Sequence, residues 1–133
     1  MKEPVWIDES EVHAIHEQVL AEHGGASGLR DAKLLATALA RPRQHFAYGA
    51  HPSVVEMAAL YTAGIVKNHP FVDGNKRTGF VIGILFLELN GQRFTATEED
   101  ATQAVLDLAA GVMKESAFTE WFASQSRPIR KSR

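Results

Sequence analysis

His69, Asp73, Asn75, Lys76 and Arg77 place an imidazole, a carboxylate, an amide and two cations within nine consecutive residues of this 133-residue chain. Gly74 precedes the run Asn75-Lys76-Arg77-Thr78, which opens an apolar segment of helical character. The first backbone N–H groups of a helix have no internal partner and lie at the positive end of its dipole. Gly74, Asn75, Lys76, Arg77 and Thr78 are therefore a candidate anion site. Cations in a first helical turn are disfavoured for the helix alone, and a bound polyphosphate reverses that sign. Asp73 is a candidate ligand for Mg²⁺, an ion that takes one or two protein carboxylates and completes its shell with phosphate oxygens and water. His69 is placed to act as a general base, and the two cations nearby favour its neutral ring.

Each residue also has a plainer reading. Asp73 or Asn75 serves equally well as a helix cap, His69 as a helix-ending residue, and Gly74 as the turn residue that supplies a positive φ. Against this stands their joint occurrence between two of the most apolar stretches of the chain. Residues 54–66 and 79–89 carry one charged residue each, Glu56 and Glu88. Helices apolar on nearly every face are the central helices of a bundle, so the polar turn between them lies at the middle of the fold.

The elements that position this turn follow from periodicity. Asp8 and Glu11 have capping-box spacing ahead of a helix over Glu9–His23, with Val12, Ile15, Val19 and Leu20 on its buried face. His13, His16 and His23 lie on that helix without a completing ligand pattern and read as solvated histidines. Residues 24–28 hold three glycines, but their spacing fits neither a P-loop nor a dinucleotide fingerprint, so they read as a connector. Asp31 caps a second helix over Ala32–Ala40, which Pro42 ends. Pro52 suits the first turn of a third helix over 52–68, and the fourth spans 75–89, with Gly79 and Gly83 allowing close helix packing. Asn90-Gly91 stops it. Residues 92–96 form an extended link, Thr97 and Asp100 begin a fifth helix whose repeat runs from Ala101 to Val112, and Ser116 caps a sixth carrying Phe118, Trp121 and Phe122. The expectation is an all-α, single-domain bundle of about six helices, with the site in the turn between helices three and four.

The composition, 45% hydrophobic and 23% charged, is that of a globular domain, and its length suits one core. There is no cysteine, which removes disulfide and thiolate chemistry. The N-terminal residues lack an apolar signal region and no apolar run approaches a membrane span, so a cytoplasmic protein without membrane contact is expected. Arg127, Arg130, Lys131 and Arg133 lie in the last seven residues, leaving ten cations against sixteen carboxylates in residues 1–126. That acidic body lacks the basic face of a nucleic-acid binder. The domain is expected over 1–126, with 127–133 a basic, solvated tail.

The stretch HPFVDGNKRTGF resembles the signature of the Fic/Doc superfamily. It is similar to the Fic motif through Asn75. Lys76 then stands where Fic enzymes have a second glycine, and Phe80 where they have a final arginine. In Fic adenylyltransferases that glycine and arginine accommodate and grip the pyrophosphate, so the departures place this chain with the Doc (death-on-curing) toxins. Further points of likeness are Gly24-Gly25 with Gly28, Arg30-Asp31, Arg41-Pro42 with Tyr48-Gly49, and Leu85 to Gly91. The resemblance implies a toxin of a toxin–antitoxin system, a kinase that moves the γ-phosphate of ATP, with Mg²⁺, to a threonine of translation elongation factor Tu. His69, Lys76 and Arg77 would be catalytic, Asp73 would hold the metal, and Lys67 would join the nucleotide-binding group. Residues 43–50 would form a flap that pairs with an extended target segment.

Self-inhibited Fic proteins carry a glutamate followed by Gly or Asn, and none of the eleven glutamates here is so followed. The resemblance instead implies a separate Phd-type antitoxin whose disordered segment folds on the toxin. Two rivals stand: a Fic-type nucleotidyl (AMP) transferase acting on a protein hydroxyl, and a non-catalytic module that uses the same cleft for binding.

Overall fold

A computed structural model describes residues 2–129. Six helices are found among them, α1 (Glu9–His23), α2 (Ala32–Tyr48), α3 (Val54–Asn68), α4 (Asn75–Leu89), α5 (Glu98–Ala110) and α6 (Glu115–Ser124). Two three-residue strands, β1 (Gln92–Phe94) and β2 (Ser126–Pro128), pair antiparallel with Arg93 opposite Arg127. The all-α bundle expected from the sequence is the observed architecture.

The central helix is α3. It buries nine of its fifteen residues and packs on α2, α4, α5 and α6. Small residues set the close approaches. A Cβ on Gly64 would lie 3.0 Å from the Cβ of Ala38 in α2, and one on Gly79 would lie 3.1 Å from the Thr62 carbonyl. A Cβ on Gly83 would collide with the Thr62 hydroxyl, so both α4 glycines serve packing between α3 and α4. The Tyr61 hydroxyl, fully buried, accepts from the Ile7 N–H and donates to the Ile7 carbonyl, which anchors the segment before α1. Asn90 clasps that same segment through both the N–H and the carbonyl of Val5.

Several boundaries differ from expectation. Pro42 does not end α2, which continues to Tyr48 with Pro42 buried inside it. A proline forfeits one helical hydrogen bond, and here the next turn is held by Phe46 packed edge-on against Trp6 and by Arg43 over the Trp6 ring. The backbone of 43–48 is thereby committed to helix, so this stretch offers no free edge for pairing with an extended target. Helix α3 begins at Val54, because the Ser53 hydroxyl caps it and Glu56 completes a capping box, leaving Pro52 outside. Val112 lies beyond α5 and is exposed, since Gly111 has already turned left-handed. Helix α6 starts at Glu115 after Lys114 rather than at a Ser116 cap. Of the tail expected over 127–133, Arg127 and Pro128 belong to β2 and pair with β1. Arg130, Lys131 and Arg133 lie outside the described residues. Among the described residues no helix is long and apolar enough to cross a membrane.

Candidate active site

His69 closes α3 with φ 53° and ψ 53°, the one non-glycine residue of positive φ among those described. A side chain in that region costs about 1–2 kcal/mol, and its neighbours hold it there. The Arg30 guanidinium donates to the carbonyls of His69 (2.6 Å) and Asn68 (2.9 Å), while the Asn68 amide donates to the Leu34 carbonyl at the start of α2. The left-handed step turns the chain away from α3 and leaves the His69 imidazole exposed at a cavity wall.

The turn that follows is hydrogen-bonded at almost every backbone group. The Pro70 carbonyl accepts from the N–H groups of Arg30 and Asp31, Phe71 bridges to Leu29, and the Val72 N–H donates to the Gly28 carbonyl. The buried Asn75 side chain accepts from the Phe71 N–H and donates to the Phe71 carbonyl, both at 2.9 Å. Asp73 Oδ1 accepts from the Gly74 N–H (2.9 Å) and Oδ2 from the Ala26 N–H (3.1 Å). These two bonds, aided by the charge of Lys76, hold the Asp73 carboxyl below the usual carboxylate range.

Neither acidic nor amide side chain caps α4. Its N-cap is Gly74 (φ 78°), and among the described residues no side chain bonds to the N–H groups of its first turn. The two capping readings of Asp73 and Asn75 therefore fall away. The open helix mouth faces a cavity of about 290 Å³ lined by His69, Asp73, Gly74, Asn75, Lys76 and Arg77, with Phe80 and the α5 residues Ala101, Thr102, Val105 and Leu106 opposite. Lys76 and Arg77 are both exposed. An anion at this mouth would meet unpartnered N–H donors and two cations within reach of an imidazole.

Two of the expected nucleotide ligands are placed differently. Lys67 pairs with Glu115 (3.5 Å), which also binds Arg41 (2.7 Å), and it does not line the cavity. Thr78 is fully buried, outside the lining, and its hydroxyl has no partner among the described residues. Among the described residues Asp73 is the one carboxylate of the cavity wall. Each of its oxygens accepts a single backbone bond, and a carboxylate offers about four lone-pair sites. Its donor set suits a Mg²⁺ ion otherwise held by phosphate and water. Among the described residues no group of three or more His, Cys, Asp or Glu side chains forms an all-protein metal site.

The glycine-rich stretch read as a connector is part of the site. A Cβ on Gly25 (φ 122°) would fall 2.9 Å from Asp73 Oδ2, so glycine there lets the loop approach the carboxylate. His16, read as solvated, is 4% exposed and bonds to the turn. Arg30, which carries no sequence signal for this role, is the third support. All three lie 39 to 57 residues from their partners in the chain.

A family model described as Fic/DOC family matches residues 6–87, from the segment before α1 to the last turns of α4. The chain belongs to the Fic/DOC family. Among curated relatives it is 41% identical over 75 residues to "Toxin Doc" of Mycolicibacterium smegmatis, covering 55% of this chain and 57% of that protein. It is 31% identical over 85 residues to "Protein kinase doc" of Escherichia phage P1, covering 64% of this chain and 68% of that one. The match thus spans little more than half of the first relative's length. Both names belong to the Doc branch of the Fic/DOC family, to which Lys76 and Phe80 also pointed.

Proposed function

We propose that this protein is the toxin of a toxin–antitoxin pair and a kinase of the Doc type, transferring the γ-phosphate of ATP to a threonine hydroxyl of translation elongation factor Tu in the cytoplasm. The observation that carries this reading is the uncapped mouth of α4, with Lys76 and Arg77 beside it and His69 on the same cavity wall. Similarity to proteins named for toxin and kinase activity supports it.

In this reading His69 accepts the proton of the attacking hydroxyl as its oxygen bonds to the γ-phosphorus. The bond from that phosphorus to the bridging oxygen breaks, and ADP leaves with the electron pair. The N–H groups of Asn75 and Lys76, with the Lys76 and Arg77 cations, hold the negative charge spread over the transferring group. Catalysis of this kind rests on positioning and electrostatics. Asp73 would hold Mg²⁺, which supplies charge neutralisation at the phosphates. Lys67 reaches the nucleotide only by leaving its pair with Glu115. Thr78 lies behind the mouth and contributes its place in the helix. The absence of a glutamate inhibitory motif favours control by a Phd-type antitoxin binding in trans.

Incubation of purified protein and elongation factor Tu with ATP labelled at either the γ- or the α-phosphate tests the reaction. Label from the γ position alone is expected, and it disappears with His69→Ala. Label from the α position would replace the kinase with an AMP transferase. Full toxicity of His69→Ala would favour the non-catalytic module.

A further inference from the structure

The peptide unit between Asp73 and Gly74 is held at both ends. Its N–H donates to Asp73 Oδ1, and its carbonyl accepts from His16 Nε2 at 2.8 Å. A carbonyl only accepts, so Nε2 carries the proton, which both the neutral Nε2–H tautomer and the imidazolium provide. The His16 ring stacks on Phe71, with centroids 3.8 Å apart and planes 10° from parallel. It also lies beneath Gly74, where a Cβ would come 3.6 Å from Nε2.

This placement answers a weakness of the turn. Gly74, at φ 78° and ψ 13°, begins the helix whose first N–H groups face the cavity. Glycine permits the peptide before it to rotate, because no Cβ opposes the change in φ. Rotation would swing the Gly74 N–H off Asp73 and loosen the carboxylate and the helix start together. A donor fixed on α1 and aimed at the Asp73 carbonyl opposes that rotation.

We infer that His16 is a positioning residue of the active site, whose Nε2–H bond to the Asp73 carbonyl and stacking on Phe71 lock the turn that presents Asp73 and the α4 N–H groups to phosphate. The inference rests on the phosphoryl-transfer reading for its effect on rate, but its effect on the turn stands apart from any reaction.

Two full-chain variants separate donor from ring. His16→Phe keeps the aromatic stack and removes the donor, whereas His16→Gln removes the ring and restores an N–H at similar reach. Hydrogen exchange, followed by mass spectrometry, is expected to rise roughly tenfold in peptides covering 72–78 of His16→Phe and to stay unchanged in α3 and α6, because one partly buried hydrogen bond is lost. For γ-phosphate transfer, kcat should fall roughly tenfold to a hundredfold in His16→Phe with KM for the protein substrate unchanged, and His16→Gln should recover most of the loss. Exchange at 72–78 equal to wild type in His16→Phe overturns the inference. So does an equal loss in both variants that tracks a lower melting temperature. If wild type transfers no γ-phosphate, the kinase reading fails, and exchange together with calorimetric binding of inorganic pyrophosphate decides the role of His16. Unchanged binding and exchange in His16→Phe then reject it. Should His16→Phe not fold, His16→Asn, whose amide falls short of the carbonyl, takes its place under the same criteria.

Discussion

Asn75→Ala isolates the two hydrogen bonds that let a side chain stand in for a backbone partner. Asn75 is 3% exposed and Phe71 1% exposed, so water does not replace the amide when it is removed. The Phe71 N–H and carbonyl each lose a 2.9 Å bond. A buried backbone group left unpaired costs about 1–3 kcal/mol, giving roughly 2–6 kcal/mol for the pair. Against a total stability of about 5–15 kcal/mol this is a large fraction. Urea unfolding followed by circular dichroism is the assay. With a slope of about 2 kcal/mol/M, a loss of about 4 kcal/mol lowers the midpoint by about 2 M at unchanged slope. Asn75→Asp keeps the acceptor for the Phe71 N–H but sets a carboxylate oxygen against the Phe71 carbonyl in a buried site, so its stability loss is expected to be at least as large as that of alanine. It also places a negative charge at the anion site and should weaken ATP binding more than alanine does. A midpoint shift under 0.5 M (about 1 kcal/mol) for Asn75→Ala would refute the view that Asn75 staples the turn.

Other perturbations test separate parts of the structure. Lys76→Ala is expected to lower kcat/KM for phosphoryl transfer by about 10²–10³, the range for removing one group that stabilises transition-state charge, while leaving the melting temperature within a few degrees. Glu115 links α6 to α2 and α3: partial burial raises its carboxyl, but the Arg41 hydrogen bond and the charges of Arg41 and Lys67 outweigh this and lower it below 4.5. A folded-state value below the unfolded one contributes stability above the unfolded value and loses it as pH falls through the folded one. Wild type should therefore lose stability relative to Glu115→Gln as pH drops below about 4.5 in acid titrations. Gly83→Ala drives a methyl group into the Thr62 hydroxyl and to 3.2 Å from the Ala58 carbonyl, so a loss of about 1–3 kcal/mol by thermal unfolding is expected.

Much of this molecule is legible from local signals. Helix α1 runs from Glu9 to His23 and α4 from Asn75 to Leu89, as expected from Asp8, Gly74 and Asn90, because capping and glycine punctuation act between near neighbours. The polar turn between α3 and α4 also stood out, since five polar groups fall within nine residues between two apolar helices. Pro42 shows the limit of such signals: it forfeits a helical hydrogen bond, yet α2 continues past it, with Phe46 and Arg43 packed on Trp6, a contact between residues distant in the chain.

The residues of the turn, and the helix mouth they form, were determined by the sequence itself. Tertiary structure alone decided how the turn is held. Ala26, Arg30 and His16 reach it from 39 to 57 residues away, and Asn75 turns inward to Phe71 instead of capping its own helix. Lys67 likewise faces Glu115 rather than the cavity because α6 brings a carboxylate to it. Hydrogen bonds depend on distance in space, and no periodicity along the chain encodes which distant backbone group will arrive at a given carbonyl.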